Sequence, residues 1–171
     1  MPFRVIDVDV EELAAGDPDQ VARDNAVRKA VAGAAHARPG EVVLGVDTVV
    51  ALDGAIWGKP GDADAARATL AALGGRTHEV VSGVALVRED GEPVTATETS
   101  HVTFRELDEA TLSWYLDSGE WQGRAGGYAI QGRGGVLVRS LEGDYLNVVG
   151  LPVTALIDLF GGFAAFLAER T

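Results

Sequence analysis

Asp47 sits in the middle of the dense apolar run VVLGVDTVVAL, and Lys59 follows it by twelve residues in the loop Gly58-Lys59-Pro60. A carboxylate inside such a run is costly unless it is paired, bound to a cation or turned toward a cleft. Asp53-Gly54 is a hairpin signal. The returning AIW segment therefore carries Lys59 back toward Asp47. An acid and an ammonium group held near each other are parts for handling a phosphate and a metal ion. Asp47 fits a general base or a ligand to a hard cation. It fits equally a buried aspartate satisfied by backbone amides. Lys29 and the Glu11-Glu12 pair complete the charged candidates, and each reads as readily as a solvated side chain. Tyr128, Gln131 and Arg133 lie in a loop, residues 119–135, that holds seven glycines. This loop lacks P-loop spacing, so as a phosphate cradle it is a weak signal. His78 and His101 stand apart, with no spacing that suits zinc.

These residues need elements to hold them. The run 42–52 has the density of a strand buried on both faces. Residues 3–10 alternate apolar and polar, the pattern of a half-buried strand. Asp17-Pro18 opens a helix that runs to about His36 and buries Val27, Ala30, Val31 and Ala34, with Lys29 on the flank of that stripe. A second helix is capped by Asp62 and stopped by Gly74-Gly75. Strands are expected at EVVSGVALVR and VTATETSHVTF, joined across Asp90-Gly91. A third helix follows Leu107-Asp108-Glu109 and buries Leu112, Tyr115 and Leu116. VLVRSL and DYLNVVGLP read as two further strands, and a last apolar helix starts at Pro152, packing on the sheet or on a partner subunit. The order β-α-β-β-α-β-β-α-β-β-α predicts an α/β fold, a mixed sheet with flanking helices in two lobes.

Composition narrows the function. The chain has 171 residues, is 47% hydrophobic and 23% charged, and carries a net charge of -12. Such a balance argues against a sequence-independent grip on duplex nucleic acid. It leaves room for a small phosphorylated ligand, which needs only a few local cations. The absence of cysteine excludes disulfides and thiolate metal sites. The N-terminus is unlike a signal peptide and the C-terminal apolar run is too short to span a bilayer. A soluble cytoplasmic protein, bound to no membrane, is expected.

Taken together, GVDTVVALDGAIWGKP, GGRTHEVVSGVAL, AGGYAIQGRGG and GDYLNVVGLP resemble, in order and spacing, the Maf family of nucleoside triphosphate pyrophosphatases. The resemblance runs from about Phe3 to Phe160 and implies one domain over 1–171. The family opens with a strand and a Ser-x-Ser-Pro-Arg turn, and Met1-Pro2-Phe3 begins just after where that turn should end, so a shortened N-terminus is expected. The resemblance implies a fold like that of inosine triphosphate pyrophosphatase, with a cleft between two lobes. It implies hydrolysis of a nucleoside triphosphate to monophosphate and pyrophosphate with Mg²⁺ or Mn²⁺, in a protein that is often a homodimer. It implies also a link to arrest of cell division, and so an alternative: a nucleotide-binding regulator that kept the fold and lost turnover.

By position, Asp47 matches the family's proton acceptor, and Glu11, rather than Glu12, its conserved acid. Lys29 matches the helix lysine and Lys59 the lysine of the GKP motif. Thr48 and Gln131 match positions that set base preference, and Arg76 joins them and Lys59 as a substrate contact. Glu11 and Asp47 are the implied metal ligands. The IQG and LNVVGLP forms resemble the branch acting on dTTP and UTP. The branch acting on 7-methyl-GTP has a Lys-Ser-Glu-Gly type sequence where this chain has AIQG.

Overall fold

A computed structural model describes residues 3–88 and 91–162. The elements are α1 (Pro18–Ala34), β1 (Val42–Leu52), β2 (Ala55–Trp57), α2 (Ala63–Leu73), β3 (Thr77–Arg88), β4 (Val94–Phe104), α3 (Glu109–Leu116), β5 (Val138–Glu142), α4 (Tyr145–Val149) and α5 (Val153–Leu159). They form a mixed α/β fold around one five-stranded sheet in the order β2-β1-β3-β4-β5. The expected mixed sheet is not seen: every pairing among the described strands is antiparallel. Part of the joining signal Asp90-Gly91 falls outside the described residues.

The local signals work where they were read. Asp17, Asp62 and Asp108 each cap a helix by accepting a backbone N–H two or three residues into it. Asp53 and Gly54 both take positive φ, 53° and 75°, as a tight hairpin turn between β1 and β2 requires. Two strand expectations fail. Residues 3–14 are irregular, because no described strand lies beside them to complete a ladder; Phe3 and Val5 are 88% and 77% exposed. DYLNVVGLP holds a short helix, α4, capped by Asp144 and ended at Gly150.

The face of α1 also differs from expectation. Ala30 is buried and Val27 and Ala34 pack partly buried beside it, as expected, but Val31 is half exposed, and Val21, Ala22, Asn25, Ala26 and Gly33 are buried as well. The cause is the sheet beneath. A Cβ on Gly45 would lie 2.2 Å from the Ala26 carbonyl oxygen, and one on Gly83 would lie 2.3 Å from that of Ala22. Glycines on the strands and alanines on the helix let the two backbones almost touch. The small-residue stripe, not the bulkiest one, therefore faces inward.

The alternation of β1 sorts its side chains onto two layers. Asp47 and Val49 face α1, where Val49 packs with Val21, Ala22 and Val81. Thr48, Val50 and Leu52 face the other layer. There Val50 and Leu52 join Leu70, Leu73, Phe104, Tyr115 and Leu137 in the main core. β2 pairs only with Val50, Ala51 and Leu52, so the first part of β1 has β3 on one side and no described strand on the other. The helix α5 packs on β3 and β4, as expected for an apolar final helix. No helix among the described residues is long and apolar enough to cross a membrane.

Candidate active site

The free edge of β1 opens into a cavity of about 240 Å³. Asp47 and Thr48 form its floor. Lys29, Lys59, Arg124, Gln131 and the end of α4 at Val148–Gly150 form its walls. Three cations and one carboxylate line it, in a chain whose net charge is -12. The local balance is thus the reverse of the global one, which suits a polyanion held in a small site.

Asp47 is the best-anchored charge. It is 8% exposed, and both of its oxygens are engaged. Lys29 Nζ donates to Oδ1 at 2.6 Å, and Asn25 Nδ2 donates to Oδ2 at 3.0 Å. Both donors come from α1, four residues apart and so one above the other on the same helix face. The helix sits over Gly83, which pairs directly with Asp47 across β1 and β3. The close approach of the backbones is what brings these short reaches within hydrogen-bonding distance.

Lys29 also contacts Glu12 Oε1, at 2.7 Å, so one ammonium is held between two carboxylates. Burial acts to lower the lysine's pKa, but the hydrogen bonds to Asp47 and Glu12 outweigh it and hold it above the ordinary value. The hydrogen bond to Lys29 in turn holds Glu12 below the usual carboxylate range. Glu12 Oε2 lies 3.5 Å from Lys59 Nζ, which links the β2 loop to the same cluster. Lys59 therefore meets Glu12 rather than Asp47, and the direct partner of Asp47 is Lys29.

Two expected site residues lie elsewhere than the cluster. Glu12, not Glu11, turns toward the lysines; Glu11 is exposed and offers its backbone carbonyl to Arg28 Nη1 at 2.8 Å. Neighbouring side chains of an extended segment point to different sides, so only one of the pair reaches the cluster. Arg76 lies away from the cavity. Its Nη2 grips both oxygens of Asp53 at 2.8 and 2.7 Å, beside the β1–β2 turn. Asp53 is six residues beyond Asp47 on an extended strand, about 20 Å along it.

The opposite face of β1 carries a neutral network. Thr48 Oγ1 and Ser82 Oγ are 2.7 Å apart. Ser82 Oγ donates to the Asn147 carbonyl at 3.4 Å, and Asn147 Nδ2 donates to the Val80 carbonyl and to Ser100 Oγ. A hydroxyl has one proton. Either hydroxyl can donate in the Thr48–Ser82 bond, and in both arrangements Thr48 Oγ1 keeps a lone pair for the cavity.

The glycine-rich loop is pinned on both sides of Gln131. Ala129 N donates to Tyr115 Oη at 3.2 Å, and Glu120 Oε2 accepts from Arg133 N at 2.7 Å and from Gly134 N at 3.3 Å. Tyr128 Oη pairs with His78 Nε2 at 2.9 Å, deep in the core. Burial pushes His78 down to about 4 and the Tyr128 phenol up. Arg133 stacks over Trp114, its guanidinium carbon 6.0 Å from the ring centre, and is absent from the cavity lining. Arg124 and Asn25 are site residues the sequence did not single out, whereas the end of α4 lies in the LNVVGLP motif. Arg124 had a faint signal, a basic residue among glycines. Asn25 had none.

A cavity with three cations, a carboxylate held by two donors and a polar wall has the chemistry to hold a phosphorylated ligand. The family model "Maf-like protein" matches residues 1–163, and the chain belongs to the Maf family. It is 45% identical over 170 residues to the dTTP/UTP pyrophosphatase of Xanthomonas euvesicatoria pv. vesicatoria (strain 85-10), covering 96% of this chain and 90% of that one. It is 41% identical over 152 residues to the dTTP/UTP pyrophosphatase of Pyrococcus furiosus (strain ATCC 43587 / DSM 3638 / JCM 8422 / Vc1), covering 89% and 79%. To the nucleoside triphosphate pyrophosphatase of Xylella fastidiosa (strain 9a5c) it is 43% identical over 167 residues, covering 95% and 88%.

Proposed function

We propose that this chain is a pyrophosphatase that hydrolyses dTTP and UTP to the monophosphate and pyrophosphate. Water attacks the α-phosphorus, the bond from that phosphorus to the bridging oxygen breaks, and pyrophosphate leaves. The observation that carries the chemistry is the grip on Asp47: its carboxylate is held by Lys29 and Asn25 at the floor of a cationic cavity. In this reading Asp47 takes the proton of the attacking water. Lys29, Lys59 and Arg124 neutralise non-bridging oxygens, most strongly as charge builds in the transition state.

The residues fit a divalent cation. Among the described residues no group of three or more His, Cys, Asp or Glu could hold one alone. Asp47 and Glu12 nevertheless converge on one positive charge, that of Lys29. Mg²⁺ and Mn²⁺ take hard oxygen donors, and Mg²⁺ commonly uses one or two carboxylates with substrate phosphates and water. Asp47 and Glu12 would hold the ion, which when bound polarises the phosphoryl oxygens. The assignment of Glu12 replaces the expected Glu11.

Base choice follows from the other wall. Thr48 offers an acceptor and Gln131 a donor and an acceptor, which suits the N–H and carbonyls of uracil or thymine. With this reading go an inosine triphosphate pyrophosphatase-like cleft between two lobes, a cytoplasmic location and a homodimer.

The test is pyrophosphate release from a panel of triphosphates with Mg²⁺ or Mn²⁺, for the wild type and Asp47→Asn. The wild type should favour dTTP and UTP. Asp47→Asn should lose about 10²–10⁴-fold in kcat, since an amide takes no proton at neutral pH. Wild-type turnover by Asp47→Asn would end the assignment of the proton acceptor. No pyrophosphate from any triphosphate would end the reading as a whole.

A further inference from the structure

Asn25 is 1% exposed, in the middle of α1, and it makes three hydrogen bonds. Its Oδ1 accepts from Leu13 N at 2.8 Å, and its Nδ2 donates to Leu13 O at 3.0 Å. The side-chain amide thus pairs with both polar groups of one residue, as a neighbouring peptide in a sheet would. The second Nδ2 proton goes to Asp47 Oδ2 at 3.0 Å. The direction of the amide is fixed by this set, because Leu13 N–H must meet the oxygen. Both protons of the amide are used.

Leu13 directly follows Glu12. The backbone of the irregular segment 3–14 would otherwise have few ties to α1 near the cavity: Arg28 Nη1 holds the Glu11 carbonyl at 2.8 Å, Leu13 packs against Val21 and Val49, and the Glu12 side chain meets Lys29 and Lys59. The Asn25 amide touches both Asp47 and the backbone next to Glu12, where Lys29 touches only the two carboxylates. An asparagine is a poor choice for a helix interior on propensity alone. A buried leucine or alanine would satisfy the helix but leave Leu13 N–H, Leu13 C=O and Asp47 Oδ2 each short of a partner.

We infer that Asn25 is a positioning residue for hydrolysis: it clips the backbone beside Glu12 to Asp47, so the two carboxylates are set at a fixed separation around Lys29. The inference rests on Asp47 and Glu12 acting together in the proposed reaction. It adds that their spacing is made by a third side chain and not by the sheet alone. Losing the clip releases the backbone beside Glu12 and one oxygen of Asp47, leaving Glu12 held only through its contacts with Lys29 and Lys59, while every charged group of the cluster (Lys29, Lys59, Arg124 and both carboxylates) stays in the protein.

The test is a double-mutant cycle on the full chain, with Asn25→Leu, Glu12→Gln and the pair, read as kcat and KM for dTTP with Mg²⁺. Asn25→Leu should lose about 10–100-fold in kcat with KM changed less than about threefold. In the Glu12→Gln background the same change should cost less than about threefold, because the group it positions is already gone. Asn25→Ser, smaller instead of isosteric, covers the case in which leucine cannot pack. Amide hydrogen exchange at Leu13 reads the clip whether or not dTTP is turned over: protection should fall at least tenfold in either variant, with melting still cooperative. The inference is overturned if Leu13 stays protected, if kcat is unchanged, or if the Asn25 and Glu12 losses simply multiply. A wild type that hydrolyses no triphosphate would sink the proposed function and leave the exchange result to decide the clip.

Discussion

Gly83→Ala is the sharpest test of how the site is built. The added Cβ would lie 2.3 Å from the Ala22 carbonyl oxygen and 2.6 Å from the Arg23 nitrogen. Both obstacles are helix backbone, so no side chain can rotate away. Ordinary contact needs about 3.4 Å, so α1 must lift by roughly 1 Å or the strand must bow by as much. Overpacking of this kind costs about 1–3 kcal/mol or more. For a domain of this size that is a fall in Tm of roughly 2–12 °C, at about 2–4 °C per kcal/mol. The same movement acts on Asp47, which pairs with Gly83 and takes its two donors from α1. Contacts of 2.6 and 3.0 Å do not survive a shift of about 1 Å as good hydrogen bonds. A misplacement of that size costs about 10²-fold in rate. Differential scanning calorimetry and steady-state pyrophosphate release from dTTP measure the two effects side by side. Gly61→Ala is the control, since a Cβ there meets nothing within 4 Å and the site uses no atom of it. If Gly83→Ala keeps its Tm within a degree and its kcat/KM within twofold, α1 is not seated on the sheet as described.

Three further outcomes are expected. Glu12→Gln should lower kcat by at least tenfold while Glu11→Gln stays within about twofold, measured by the same release assay; the reverse order would restore Glu11 to the site. Gln131→Ala should lower kcat/KM for dTTP and UTP more than for GTP and ATP, and equal losses across a four-nucleotide panel would assign the residue to loop stability instead. The third concerns acid stability. His78 is held neutral by burial, with its pKa pushed from 6.5 down to about 4. The unfolded chain binds that proton first, so the folded state keeps its full stability above about pH 6.5 and loses it as pH falls toward 4. The loss reaches about 3 kcal/mol by pH 4, and His78→Gln should flatten that limb of a urea-unfolding series run from pH 7 to 4. An unchanged slope would show that other groups govern acid unfolding.

Elements with their own punctuation were legible in the chain. Asp17-Pro18, Asp53-Gly54, Asp62 and Asp108 mark their turns and caps by chemistry that acts over three or four residues, and each does so in the structure. Asp47 was legible because a carboxylate within VVLGVDTVVAL contradicts its surroundings. What failed depended on neighbours distant in sequence. The alternation of residues 3–10 is real, but a strand also needs a partner. The inward face of α1 holds Ala30, with Val27 and Ala34 packed beside it, but Val31 points out, because Gly45 and Gly83 draw in the alanines Ala22, Ala26 and Ala30. Glu11 and Glu12 are alike as residue types, and only the path of segment 3–14 separates them. Arg76 sits next to a motif rich in site residues, yet Asp53 is the nearer anion. A lone asparagine among apolar and charged helix residues announces nothing until Leu13 and Asp47 arrive on either side of it.

Asp47 and Thr48 are consecutive in the chain, yet they belong to different layers. One addresses α1 and its charges; the other addresses Ser82 and the wall of α4. In the proposed function a single peptide bond therefore divides bond breaking from base selection. Natural or laboratory selection can reshape the Thr48 side, together with Gln131 and Val148, without touching a donor to the carboxylate. The appetite of such an enzyme for one nucleotide over another is free to drift while its hydrolytic power is conserved. A library confined to those three positions should yield variants that differ in preferred base at similar maximal turnover, whereas one built on the α1 side should yield mainly slower enzymes with the same preference.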